Sequence, residues 1–309
     1  TTGTENTIIG GLAGDALTDS ARNVAVGSSA LGAEISGQYN TAIGWNSLGV
    51  QSNSSSANAL NTAVGYNSGG AVTTGTLNTL VGALAGDGIE TATGNNAFGY
   101  LSLSGACTGS YNQAFGQSAL ASNTSGAGNI GIGLNALTVN TGSSLNIAIG
   151  NGALDAFNVS TGTTHNVAVG DSAGGAVTTG TFNTLVGGLA GDALTDVDYN
   201  VAVGSYALTT DTLGSRSTAL GYNALANQNF DSATDTHNTA VGFHAGVSVT
   251  TGIRNTYIGA LAGDHTTDAD HNVAVGFDAL STNTLGSKSV AVGTDALSAS
   301  NPDSATDML

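Results

Sequence analysis

Four constellations in this chain have residue types and spacings that could do chemistry. GDSAG, residues 170–174, has the glycine spacing of a nucleophile elbow with Ser172 at its centre, a motif that needs a strand-to-helix turn to lift the hydroxyl clear. GAGNIG, residues 126–131, has the spacing of a dinucleotide loop, whose glycines let the backbone approach a pyrophosphate at a helix N-terminus. Acidic clusters follow a repeated LAGD: Asp15 and Asp19; Asp87 and Glu90; Asp192, Asp196 and Asp198; Asp264, Asp268 and Asp270. Hard oxygen ligands so spaced could hold Ca²⁺ between neighbouring segments, the one cofactor the residues suggest. The nonapeptide calcium-roll motif is absent, and a solvated turn is the plainer use of the same acids. The fourth constellation is positional. All four basic residues, Arg22, Arg216, Arg254 and Lys288, occupy one slot, just before a recurring Asn or Ser. That slot also holds His165, His237, His271, Tyr39, Tyr111, Tyr199 and Phe182.

The elements that must position these groups come from a repeat. The motif N-x-A-V-G recurs seventeen times, its glycine running from Gly10 and Gly27 to Gly276 and Gly293. Thirteen of the sixteen spacings are 17 residues; those following Gly44, Gly150 and Gly221 are 21, 20 and 21. Positions are counted from this motif glycine. Position −1 is always a large hydrophobe, position +3 always Ala or Ser, position +4 Leu or Gly, and position −4 is Asn except at Ser217 and Ser289.

A period of 17 is too short for a helical repeat. The β-branched residues and two-residue alternation predict a short strand, and the glycine a corner with positive φ or close backbone approach. A second corner is expected at position +10, where Gly37, Gly75, Gly109, Gly126, Gly180, Gly214, Gly252 and Gly286 stand. Two strands and two corners make one coil of an all-β parallel β-solenoid, or β-roll, of about 17 coils. Stacked at about 4.8 Å, such coils give a rod on the order of 80 Å. The large hydrophobes at −1 are expected to stack into a narrow core, and the Asn residues to form an amide ladder at a buried corner.

Residues 1–309 read as a single solenoid with a longer period laid over it: super-repeats at 1–60, 61–165, 166–237 and 238–309. In the second coil of each, the small motif residue becomes large, as Ile8, Leu80, Leu185 or Tyr257, so that coil must meet something different there. The register also disposes of two mimics. Ser172 holds the slot of Asn67 and His244 in sister units, and GAGNIG runs from a corner into a strand rather than a helix. No catalysis is expected.

Composition narrows the function. Lys, Arg and Glu, the usual fillers of exposed helical faces, total only seven, which argues against a helical protein. A formal charge of −17 with four basic residues argues against nucleic acid and against an anionic membrane surface. No apolar run approaches the roughly 18 to 20 residues of a membrane span, so no membrane insertion is expected. The start, TTGTENTIIGG, has no basic region or initiator Met and reads as processed or truncated rather than as a signal peptide. Cys107, the one cysteine, allows no internal disulfide and is expected to be a small buried hydrophobe. Neither end looks capped, so caps lie outside these residues or copies stack end to end.

The pattern NVAVGxxAL…TxGxxNTAVG resembles the head repeats of trimeric autotransporter adhesins, whose SVAIG-type motifs build a left-handed parallel β-roll, and is similar to repeats of phage and viral fibre proteins. The resemblance covers essentially the whole chain. It implies a homotrimer of rolls side by side, an extracellular, cell-surface or virion location, and adhesion to host-surface or matrix glycans or proteins. The coil here is a few residues longer than the usual head repeat. No neck, stalk or anchor is recognisable.

The expected function is therefore a structural, adhesive fibre that associates with itself as a trimer or head-to-tail filament. A tail or capsid fibre for receptor recognition is the alternative. An ice-binding roll would need an unbroken Thr face, which the column Thr7, Val24, Thr41, Asn96, Gln113, Ile130 does not supply. A β-helical polysaccharide hydrolase would need paired carboxylates in a groove, and the regular coils leave no long loops to build one. The slot before the motif Asn is the expected partner-facing ridge, with Arg22, Tyr39, Tyr111, Tyr199, Arg216, Arg254, His271 and Lys288 as contact residues; a corner with room for long side chains explains it equally well. A second column at +1, with Trp45, Tyr66, Tyr100, Tyr222, Phe243 and Phe277, suits packing between coils better than sugar stacking.

Overall fold

Alternation decides which motif residues face inward. In the computed structural model, which describes residues 3–53 and 58–299, each motif folds as a three-residue strand, and from the second motif on its middle residue is buried between two outward ones: Val24–Val26, Thr79–Val81 and Val201–Val203 all read half-buried, buried, half-buried. No helix occurs among the described residues.

The chain forms two compact units, Thr1–Asn151 with Asn158–Thr163, and Gly152–Phe157 with Thr164–Leu309. Each is a parallel β-solenoid in which consecutive motif strands pair in register one coil apart. In the first unit Val24, Ala25 and Val26 lie beside Thr41, Ala42 and Ile43; in the second, Thr184, Leu185 and Val186 lie beside Val201, Ala202 and Val203. Among the described residues second strands form only at Ser143–Ser144 with Gly162–Thr163 and Gly214–Ser215 with Thr234–Asp235. The expected second strand of every coil is thus replaced mostly by irregular chain held by bonds between coils, such as Thr73 N–H to the Glu90 carbonyl at 2.8 Å.

The core differs from expectation. The large hydrophobe at −1 points outward: Ile258 is 41% exposed and Ile43 38%. What is buried is the motif Ala with the +3 Ala and the +4 Leu, as in Ala25, Ala30 and Leu31, all fully inaccessible. Because the +4 Leu reaches across the interior, only a methyl group fits at −2. The second coils prove the point by inversion. Where −2 becomes Leu80, position +4 is Gly69 in the preceding coil and Gly86 in its own, and a Cβ there would come within 2.8 Å and 2.6 Å of the Leu80 methyls. Leu185 lies likewise between Gly174 and Gly191, and Tyr257 between Gly246 and Gly263. The different environment of those coils is their own interior, with volume conserved by exchanging a large and a small residue.

Leu185→Ala should therefore open a cavity and cost about 3 kcal/mol. Adding Leu at 174 and 191, whose φ of 60° and 57° matches that of the ordinary +4 residues Leu154 and Leu208 at 50° and 55°, should recover most of it in urea titrations. A triple variant no more stable than Leu185→Ala would contradict this packing rule.

The two kinds of glycine are required for different reasons. The motif glycines have φ between 123° and 142°. The second-corner glycines take ordinary φ but sit against the next coil, so that a Cβ on Gly75 would lie 2.6 Å from the Ala92 carbonyl oxygen. The Asn column is buried and laddered mainly through the backbone, with amide-to-amide bonds at Asn23–Asn6, Asn146–Asn129 and Asn183–Asn166. Asn23 Oδ1 accepts from Asn40 N–H at 2.8 Å, and Asn78 Nδ2 donates to the Ala92 carbonyl at 2.9 Å, tying the motif to the opposite corner.

Candidate interaction surface

The outer face of the motif strands presents positions −3 and −1 of every coil. Position −1 is Ile, Val, Phe or Leu throughout, and stays half-buried or exposed even where coils stack above and below. Phe98 and Phe115 stack there with centroids 4.7 Å apart. A column of apolar side chains facing solvent with no polar interruption is a candidate interaction surface. Hydrophobicity alone assigns these residues to the core; the signal for the opposite assignment is the strict smallness of −2, which marks the inward side.

This face has two borders. Along one runs position −5, the ridge that holds the basic residues. Every non-glycine member has left-handed backbone: φ is 59° at Arg22, 60° at Tyr39, 64° at Tyr111, 62° at Tyr199, 64° at Arg216, 59° at Arg254, 60° at His271 and 58° at Lys288. For L-residues this costs about 1 kcal/mol each relative to an unstrained conformation. The side chains rise one above another along the stack. Arg22 Nε donates to Glu5 Oε2 at 2.7 Å and Nη1 donates to the Tyr39 hydroxyl at 2.8 Å, which raises the Arg22 pKa through the Glu5 hydrogen bond and charge. In the second unit His165, Phe182 and Tyr199 stack at 5.6 Å and 5.3 Å, and Arg216 lies over Tyr199 at 5.7 Å while pairing with Asp235. Arg254 Nη1 meets His271 Nε2 at 3.4 Å. Arg22 and Tyr39, His165 through Arg216, and Arg254 and His271 thus contact one another within the chain.

Along the other border runs position +1, where Trp45 and Tyr66 stack at 5.0 Å and Tyr222 and Phe243 at 5.7 Å, packing between coils as expected. These rings remain about half exposed.

The acidic clusters do not converge. Among the described residues no group of three or more His, Cys, Asp or Glu side chains is placed to hold a metal ion. Asp15, Asp87, Asp192 and Asp264 stand at +5, and Asp19, Asp196 and Asp268 at +9. Asp192 accepts from Thr209 at 2.6 Å and Asp196 from Thr179 at 2.5 Å; Asp264 meets His265 at 3.1 Å. Burial raises the Asp87 carboxyl above the usual range. Cys107 is buried, and burial raises its thiol pKa. The backbone around Ser172 is turn, and GAGNIG leads into the strand Ile130–Ile132 rather than a helix.

Two buried acids carry almost no mark in the sequence. Glu34 and Asp211 are fully inaccessible, each in the coil before a 21-residue spacing. Glu34 Oε1 accepts from the N–H groups of Ile35, Ser36 and Gly37 at 2.9, 3.0 and 2.6 Å, and Oε2 from Gln51 Nε2 at 2.7 Å. Gln51 in turn accepts from Asn61 at 2.9 Å. Asp211 repeats the relay, accepting from Gly214 N–H at 3.0 Å and Gln228 at 2.5 Å, with Asn238 donating to Gln228 at 2.8 Å. The acid and amide span the longer coil where regular stacking is interrupted. Both stand at position +7, a column that holds Val72, Ile89, Phe157 and Val177 but also Asn123, Asn140 and Asn283.

Their titrations oppose each other. Burial alone would raise Glu34, but the bonds from Gly37, Gln51 and Asn53 outweigh it and hold the carboxyl below its usual range. Stability from Glu34 is thus present above the unfolded-state pKa of about 4.3 and lost as pH falls through the folded value. Asp211 is raised, burial outweighing Gln228 and the backbone donors, so its contribution to stability grows as pH falls through its folded value. Glu34→Gln, which sets an amide against six donors, should cost about 2–3 kcal/mol at pH 7 and less at pH 3. Asp211→Asn should cost less at pH 7 than Glu34→Gln. Urea midpoints from pH 3 to 8 that move in parallel for both variants would contradict this assignment.

Comparison with protein-family models and with curated protein sequences returned no match.

Proposed function

We infer that this chain is a structural fibre module that associates with itself through the outer face of its motif strands and presents the remaining coil surface for attachment outside the cell. One observation carries the reading: position −1 is a large hydrophobe in all seventeen motifs and faces outward. Residues that stabilise neither core nor solubility are kept in every coil. A partner that repeats with the same coil spacing covers such a column along its length, and another copy of the chain is that partner. The resemblance to adhesin heads and fibre repeats agrees with a fibrous assembly at a cell or virion surface. The chemistry of attachment is carried by the surface away from the strands, through contact rather than catalysis. Sedimentation tests the self-association: the 30.0 kDa chain should sediment as a multimer at micromolar concentration, and a 30.0 kDa particle would refute the reading.

A further inference from the structure

One of the large residues at −2 carries a polar group into the interior. Leu80 and Leu185 each stand nine residues before an apolar residue at +7, Ile89 and Leu194, and all four are fully buried. In the sister coil of the last super-repeat both members change together, to Tyr257 and Thr266, which are also fully buried. Two hydroxyls thus stand where two hydrocarbon side chains pack elsewhere.

A third group comes from the Asn column. The side-chain nitrogens of Asn183, Asn200, Asn238 and Asn255 donate to the carbonyls of Val197, Gly214, Gly252 and Ala269, fourteen residues on, at 2.7, 2.9, 2.7 and 2.8 Å. Asn272 breaks that rule. The matching carbonyl, that of Gly286, accepts from Asn283 Nδ2 at 2.8 Å. Asn272 Oδ1 accepts from Ser289 N–H at 2.9 Å, which orients the amide and leaves Nδ2 as its free end. Thr266 and Asn272 both face the Tyr257 hydroxyl. Yet Tyr257 Oη, Thr266 Oγ1 and Asn272 Nδ2 are all buried and bond to no protein atom. An interior polar group left unbonded forfeits its hydration, and three that face one another call for a shared partner.

Their chemistry selects that partner. Asn272 Nδ2 can only donate, so it repels a cation. Burial foremost, and the charge of Asp270 after it, raise the Tyr257 pKa and keep the phenol protonated; the same charge disfavours an anion. What fits is small, neutral, and both donor and acceptor. We propose that the interior between Tyr257, Thr266 and Asn272 binds one water molecule. The water accepts from Asn272 Nδ2 and from one hydroxyl and donates to the other, three bonds, the usual number for an interior water. It ties the coil of Gly259 to that of Gly276, where Asn272 lacks the carbonyl bond its column otherwise makes. The site stands whether or not copies of the chain associate.

Oxygen-17 relaxation dispersion of the full chain counts waters held far longer than those on the surface. The parent should hold one more than Tyr257→Leu/Thr266→Leu, which reproduces the pairing of Leu185 with Leu194. An equal count in the two proteins, both folded by circular dichroism, would overturn the proposal. Thr266→Val and Tyr257→Phe form a second arm that does not depend on the double change. Each deletes one bond to the water and should lower the folding constant about fivefold in urea titrations. Without the water each would delete an unbonded hydroxyl, and stability would hold or rise; that result in either variant would overturn the site.

Discussion

Gly187→Ala is expected to destabilise the second unit by at least about 4 kcal/mol. Two independent terms add. Gly187 has φ 137°, a conformation an L-residue adopts only under strain. A Cβ there would also lie 2.6 Å from the backbone carbon and oxygen of Gly204, atoms that cannot move without shifting the next coil. Gly204 stands in the same relation to Gly221, so a shift propagates along the stack. The matched control is Gly188→Ala one residue on, where the nearest neighbour of an added Cβ is the Ser205 hydroxyl at 3.8 Å. Thermal or urea unfolding should leave Gly188→Ala close to the parent while Gly187→Ala melts many degrees lower or fails to fold. Equal stability of the two would mean that the motif glycine is not held by contact with the coil beyond it.

The contrast between those neighbours also shows how much was legible in the sequence. The recurrence of Gly27, Gly44, Gly65 and their successors established the period, the strand and the parallel register directly, because a stacked fold repeats its geometry wherever it repeats its residues. The buried Asn column was legible for the same reason. Which way each side chain points was not. An N-x-A-V-G motif places Val or Ala inward equally well by alternation, and hydrophobicity alone favours the larger residue. The answer lay in a correlation between columns, Ala with Leu31 against Leu185 with Gly174 and Gly191, and that is a statement about interior volume rather than periodicity. The second strand was over-read: the +10 glycines mark close approach, as at Gly75, and most coils reach that corner without one. The ridge at −5 was visible as a column, but its left-handed backbone and stacking through Arg22, Tyr39, Tyr199 and Arg216 belong to the three-dimensional arrangement. Glu34 and Asp211 were hidden because a buried acid looks like a surface acid until its donors are known.

The outward placement of −1 gives a second large effect. Val186 and Val241 are half-exposed at −1, three coils apart in the second unit. Carboxylates there remain hydrated in an isolated chain, so Val186→Asp with Val241→Asp should leave folding within about 1 kcal/mol of the parent. In an assembly the same two groups would be desolvated without partners, at several kcal/mol together, which lowers association by at least about a hundredfold. Polar changes at −2 should behave in the opposite way, unfolding the chain rather than separating copies, because Ala202 and Ala240 are fully buried.

Sedimentation of the parent chain beside Val186→Asp/Val241→Asp, with far-ultraviolet circular dichroism to establish that both are folded, therefore bears most directly on the central claim. The account predicts a multimer for the parent and a folded 30.0 kDa particle for the variant. A folded parent at 30.0 kDa, or a variant that assembles as the parent does, would contradict it.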